Sequence, residues 1–233
     1  MNFIFMLTRQ DQTVSDCLSV IDLIEPLQLG HIGFKDVGVP LETLGELHVR
    51  IKDTGATSYL EVVSTTKEEA LASARVAAEI GVDCLLGGTW VSETLSLLHG
   101  MPTKYFPFVG RPHGHPTRLE GTPELIADQC RHAEQLGCAG VDLLAYRADQ
   151  AQPIDLIRAA RSALHGQLIV AGSVERAEQI ADLQQAGADA FTIGSAAFSG
   201  QIEPGAGLLT TQLGTVVSRW LDPSPARGIR ESS

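Results

Sequence analysis

Short apolar runs alternate with longer stretches in which apolar residues recur every three to four positions, and the alternation repeats eight times along the chain. The first period is that of a buried strand and the second that of a helix laid against it, so the pattern predicts eight strand-then-helix units. Strands are expected at residues 3–7, 30–34, 58–63, 84–86, 105–109, 143–146, 169–171 and 191–193. Helices are expected at 14–27, 41–52, 66–79, 92–99, 123–136, 153–164, 175–186 and 208–220. Pro26 stops the first helix, Thr66 caps the third, and Pro107 marks a bulge or an end in the fifth strand.

Eight such units predict an α/β fold, a TIM (β/α)8 barrel, occupying residues 1–222 as one domain, with a Pro-, Ser- and Arg-rich tail at 223–233 expected to be disordered. Composition agrees, because aromatics make up only 5% of a chain that is 44% hydrophobic, which suits parallel strands sandwiched by helices. Gly81-Val82-Asp83, Gly140-Val141-Asp142 and Gly187-Ala188-Asp189 form an internal echo, each placed before a strand. A carboxylate recurring there lies at the bottom of a barrel, the face that serves stability, so Asp142 is read as structural.

A net charge of -11 argues against a sequence-independent grip on nucleic acid or on an anionic membrane, so any anion must be caught locally. Cys17, Cys84, Cys130 and Cys138 are scattered without metal spacing, and read as buried thiols of a reducing, cytoplasmic compartment. The apolar start at residues 3–7 meets Thr8-Arg9-Gln10-Asp11 too soon for a signal segment.

In a barrel the chemistry lies where strands end, and the expected strand ends gather charged residues. Only four of the 17 basic residues are lysines, and Lys35 closes an otherwise apolar strand. Partial burial there is expected to lower its pKa, making it a base, a Schiff-base nucleophile or a fixed charge beside a carbonyl; the plainer alternative is a rim lysine paired with Asp36. Glu61, in mid-strand, is tolerable only if it points into the mouth and has a partner, with Lys35 the natural one; it reads as a general acid/base or as one half of an ion pair.

Thr8, Arg9, Thr89, Arg111, His113 and Arg147 are the candidate substrate contacts, the arginines able either to grip carboxylates and hydroxyls or to neutralise Glu61 or Asp36. His113 and His115, with only a distant Glu61 to join them, are too few ligands for a metal, and one of the two reads as a substrate contact or proton shuttle in a loop at 110–116 that could close over the mouth. Gly172-Ser173 and Gly194-Ser195 break the last two strands at the same relative place. They read as turn chemistry or as a phosphate cradle, the latter favoured by the duplication and by its place after strands 7 and 8.

The layout from about residue 3 to 220, and above all Val170-Ala171-Gly172-Ser173 and Thr192-Ile193-Gly194-Ser195, resembles the ribulose-phosphate-binding type of barrel. That broad group contains N-acetylmannosamine-6-phosphate epimerase, ribulose-phosphate 3-epimerase and indole-glycerol-phosphate synthase. The resemblance implies a substrate phosphate held by Gly172, Ser173, Gly194 and Ser195. Met6-Leu7-Thr8-Arg9, Phe34-Lys35-Asp36, Leu60-Glu61-Val62-Val63 and Leu86-Gly87-Gly88-Thr89 look like a group of small bacterial proteins that often carry the label 4-hydroxythreonine-4-phosphate dehydrogenase.

No Gly-x-Gly-x-x-Gly fingerprint accompanies these motifs, and the Asp-x-Lys-x-x-Asp array of the orotidine-phosphate decarboxylase type is missing. The expectation is a metal-independent, cofactor-free enzyme with Lys35 and Glu61 as its catalytic pair. It would act on a small phosphorylated sugar or sugar acid, as an isomerase, epimerase or aldolase-type lyase. A non-catalytic phosphosugar-binding barrel and a flavin-phosphate barrel are the alternatives. Pairing into a homo-oligomer stays open.

Overall fold

A computed structural model describes residues 1–114 and 116–221; His115 and residues 222–233, the expected tail among them, lie outside the described residues. The chain opens with β1 (Asn2–Met6), a hairpin of β2 (Thr8–Arg9) and β3 (Gln12–Thr13), and α1 (Cys17–Ile24). Next come β4 (His31–Lys35), α2 (Leu41–Asp53), β5 (Thr57–Val62), α3 (Lys67–Ile80), β6 (Cys84–Gly87), α4 (Val91–Leu97) and β7 (Lys104–Phe106). A second hairpin, β8 (Arg111–His113) and β9 (Arg118–Glu120), precedes α5 (Pro123–Gln135), β10 (Gly140–Leu143), α6 (Pro153–Ala163), β11 (Gln167–Val170) and α7 (Ala177–Ala186). The chain then runs through β12 (Ala190–Ile193), α8 (Ser195–Phe198) and α9 (Leu209–Val216).

Eight strands pair in parallel in the order β10-β11-β12-β1-β4-β5-β6-β7. The ring closes where Ala139 N donates to Tyr105 O (3.0 Å), Asp142 N to Pro107 O (2.9 Å) and Val109 N to Asp142 O (3.3 Å). Pro107 lacks the N–H that a longer ladder would require, so β7 ends before it and the closing contact is a single bridge between Phe108 and Asp142. This is the (β/α)8 barrel that the alternating pattern predicts. No helix of the described residues is long and apolar enough to cross a membrane.

The helices begin and end for local reasons. Thr66 accepts from Glu69 N at the start of α3, and Thr122 accepts from Leu125 N before Pro123 opens α5. α3 buries Ala70, Ala74 and Ala77, small residues that let the helix lie close against the strands. The main core fills the space between helices and sheet, while Ile4, Met6, Tyr59, Cys84, Leu86, Phe106, Ile169 and Ala190 form a second core inside the ring.

The sixth strand departs from expectation by three residues, running from Gly140 to Leu143 with a 3-10 turn over Ala145–Arg147 where its continuation was predicted. The left-handed glycine that ends the preceding helix is Gly137 (φ 94°), equivalent to Gly81 (φ 80°) and Gly187 (φ 88°). The amides after each, Cys138, Val82 and Ala188, donate alike to the carbonyl five residues back. Counted from those glycines, Asp142 aligns with Leu86 and Thr192, not with Asp83 and Asp189.

Asp83 and Asp189 do hold the bottom of the barrel. Asp83 receives Lys52 at 2.8 Å and the Ser58 amide at 2.8 Å, and Asp189 receives Arg161 at 2.6 Å and the Leu168 amide at 2.8 Å. Asp142 lies instead inside the barrel wall, fully buried.

Candidate active site

At the carboxyl ends of the strands, Met6, Thr8, Asp11, Lys35, Glu61, Arg147, Gly172, Thr192, Gly194 and Ser195 surround one small cavity of about 40 Å³. A wider cleft of about 620 Å³ lies at the opposite end, against Met1, Phe3, His31 and Trp220, away from the buried charges.

Lys35 and Glu61 face each other because β4 and β5 pair in register at those two residues. Both are nearly inaccessible, 5% and 6% exposed, and Lys35 Nζ lies 3.2 Å from Glu61 Oε1. The expected pair is therefore formed, and the alternative partner is not used. Asp36 points away, accepting from Val63 N at 3.1 Å and from the Ser73 hydroxyl.

Two further groups, Asp11 and Arg147, complete the cluster. The hairpin between β2 and β3 folds over the mouth, tied to β4 by Thr13, whose hydroxyl donates to Lys35 O and accepts from Lys35 N, each at 2.8 Å. Its turn carries Asp11 inward, 2.8 Å from Lys35 Nζ and paired with Arg147 through two guanidinium nitrogens at 2.9 and 3.0 Å. Burial opposes the Asp11 charge, but Arg147 and Lys35 outweigh it and hold the carboxyl well below the ordinary range.

Lys35 corrects the expectation of a lowered pKa. Burial alone would lower it, but the negative charges of Glu61 and Asp11 lift it above the ordinary lysine value, so Lys35 is a fixed cation at neutral pH. Arg147 is raised in the same way, burial being outweighed by Asp11.

Asp142 stands behind this cluster, on β10, with its Cα in register with the interior residue Ile169. Neither of its carboxyl oxygens has a hydrogen-bond partner among the described residues. Burial drives its pKa well upward and the charge of Glu61 adds to this, so the surroundings favour Asp142 in its neutral, protonated form. Sequence reasoning placed it at the wrong end of the strand and left Asp11 out altogether.

The two Gly-Ser breaks divide their roles. Gly172 (φ 74°) leaves room for Arg147, since a Cβ there would lie 2.4 Å from Arg147 Nε, and Gly194 lies so close to Thr8 that a Cβ would meet its hydroxyl at 2.5 Å. Ser195 reaches the cavity and accepts from Gln10 N at 3.3 Å. Ser173 (φ 56°) lies on the other side of Arg147, in an adjoining cleft with Thr117, Arg118 and Tyr146.

The remaining expected contacts are dispersed. Arg9 is exposed and stacks on the Phe198 ring, its guanidinium carbon 4.7 Å from the centroid. Thr89 lines a separate small cleft with Ser64, Trp90 and Phe108. Arg111 is exposed on the β8–β9 hairpin, which replaces the predicted irregular loop. His113 is paired at 2.9 Å with Asp149 on the outer side of that hairpin.

No protein-family model and no curated protein matches this chain. Solved structures do. A mutant tryptophan synthase alpha-subunit from Pyrococcus furiosus is similar with a TM-score of 0.67 at 14% identity, over 93% of this chain and 98% of its own. Orotidine 5'-phosphate decarboxylase from Pyrococcus horikoshii is similar with a TM-score of 0.62 at 14% identity, over 93% and 99%. A FabK variant from Thermotoga maritima follows with a TM-score of 0.58 at 14% identity over 87% of this chain, which spans only 64% of the FabK chain. At such identity the likeness is one of fold.

Proposed function

We propose that the chain is a metal-independent enzyme of the ribulose-phosphate-binding type of barrel, acting on a small phosphorylated sugar or sugar acid by proton transfer next to a carbonyl. The observation that carries this reading is a single cavity in which a buried Lys35–Glu61 pair meets Arg147 and both glycine breaks, Gly172 and Gly194. Of the fold neighbours, orotidine 5'-phosphate decarboxylase is by name an enzyme of a phosphorylated substrate.

In this reading the backbone at Gly172 and Gly194 and the Ser195 hydroxyl hold the phosphate. The Glu61 carboxylate takes the proton from the carbon beside the carbonyl, and the C–H electron pair moves through the new C=C bond onto the carbonyl oxygen. Lys35 stabilises the resulting enolate oxygen as a fixed positive charge. Delivery of a proton to the opposite face by water or a second acid gives an epimer, and return of the proton from Glu61 to the neighbouring carbon, with the hydroxyl proton passing to the former carbonyl oxygen, gives an isomer. A Schiff base would need an uncharged Lys35, which Glu61 and Asp11 oppose, so the reading favours isomerase or epimerase chemistry over an aldolase-type lyase.

The test is deuterium uptake from solvent into three- to six-carbon ketose, aldose and sugar-acid phosphates, with wild type beside Glu61→Gln. Uptake that falls about 10²- to 10⁴-fold in the variant is expected for a general base. Thermal protection by a phosphosugar without any uptake would turn the reading to a binding barrel, and the absence of both responses would remove the phosphate assignment.

A further inference from the structure

Resting on the phosphate-binding reading, we infer that the Asp11 carboxylate occupies the seat of a substrate carboxylate, so that the site is built for a phosphorylated hydroxy or keto acid. Free space is the first argument. The cavity of about 40 Å³ holds roughly three waters, far too little for a phosphorylated three-carbon compound. A substrate group can reach Lys35 and Arg147 together only if their shared partner Asp11 makes way, and that partner comes from the hairpin, not from a barrel strand.

The second argument is the form of the seat. Arg147 meets Asp11 with two nitrogens on two different oxygens, the forked geometry a guanidinium offers any carboxylate, and Lys35 shares one of those oxygens. Lys35 and Arg147 are held in place by elements independent of the hairpin turn: Lys35 ends β4, while Arg147 closes the 3-10 turn after β10 and also donates to Thr117 O at 3.3 Å. The seat therefore persists when its occupant changes.

Strain supplies the third. Gln10 (φ 50°) and Asp11 (φ 59°) are both left-handed without being glycine, at the two central positions of a turn where Asn-Gly is the favoured pair. Such a backbone persists when surrounding contacts over-determine it, and here Asp11's own ion pairs are those contacts. Once a ligand takes the seat, the turn is free to relax outward.

Charge balance calls for an anion in the vacated seat. With Asp142 neutral, Lys35 and Arg147 are matched by Asp11 and Glu61; withdrawal of Asp11 leaves one uncompensated positive charge in a buried place. A carboxylate restores the balance and the fork together, while the substrate's phosphate goes to the Gly172, Gly194 and Ser195 side of the same cavity.

The experiment is calorimetric titration with two probes differing at one end, 3-phosphoglycerate and glycerol 3-phosphate, on wild type, Asp11→Ala and Asp11→Asn, each checked for native circular dichroism. Removing a built-in competitor should tighten 3-phosphoglycerate by about ten-fold or more beyond whatever glycerol 3-phosphate gains from the vacated space. Equal tightening of both probes would show that the seat has no preference for a carboxylate, overturning the inference while sparing the phosphate reading. Unchanged or weaker 3-phosphoglycerate binding in a folded Asp11 variant would overturn it too. Failure of both probes to bind any of the three proteins would remove the phosphate reading and the inference with it. Asp11→Asn, which keeps a hydrogen-bonding side chain in the turn, serves if Asp11→Ala does not fold.

Discussion

The two halves of the barrel interior are built on the same strands and differ in almost everything else. Toward the amino ends lie Ile4, Tyr59, Cys84, Phe106, Ile169 and Ala190, an apolar plug; toward the carboxyl ends lie Lys35, Glu61, Asp11 and Arg147, a cluster of buried charges. On β5 the change from Tyr59 to Glu61 takes two residues. Alternation along a strand tells which side chains point inward, but their depth decides whether they hold the ring together or work at its mouth. Asp142, buried without a partner, marks the boundary.

Breaking the charged half should have the largest effect. Lys35→Met leaves Asp11 and Glu61 buried with one cation fewer, and a loss of about 3–5 kcal/mol in urea unfolding is expected, together with loss of any proton exchange. Phe106→Ala tests the apolar half and should cost a similar or slightly smaller amount, about 3–5 kcal/mol, through the cavity it leaves. Exchange per folded molecule should survive it, and a variant that stayed stable but lost exchange would contradict the division.

Asp142→Leu should move the other way, raising stability by about 1–4 kcal/mol, because it replaces an unsatisfied buried carboxyl with a packed side chain. The sign with pH follows from the raised pKa. The folded protein keeps a proton on Asp142 that the unfolded chain gives up near 3.8, so this residue costs increasing stability as pH rises above about 4. The gain in melting temperature from Asp142→Leu should therefore widen between about pH 4 and pH 7. A gain independent of pH would mean that Asp142 is ionised in the native state.

The smallest change belongs to the outer hairpin. His113→Ala breaks two surface pairs, one with Asp149, which also receives Arg118, and a longer one with Glu120, so thermal melting should report about 1 kcal/mol or less. Exchange should be unaltered.

The eight units were legible because strand and helix periods differ, and Lys35 and Glu61 because each interrupts an apolar run that would otherwise need no charge. Asp142 was misplaced for one reason: Gly-Val-Asp repeats in the sequence, but the glycine that ends the helix before β10 is Gly137, three residues earlier. Asp11 gave no sign at all. Its hairpin is polar on both arms, and its Gln10-Asp11 turn lacks the Asn-Gly pair by which such turns are recognised. Arg147 was found as a charged strand end, although the element that carries it is a turn.

The junction between β7 and β10 has one further consequence, and it concerns time. Every other pair of neighbouring strands shares a continuous ladder, whereas this one is held by a bridge interrupted at Pro107, and Asp142 is part of it. The ring is thus stitched most loosely beside its most deeply buried acid. A brief parting of that seam, short of unfolding, would let water reach the Asp142 carboxyl, so the rate at which its proton exchanges is set by the breathing of the barrel wall and not by the traffic of ligands through the mouth.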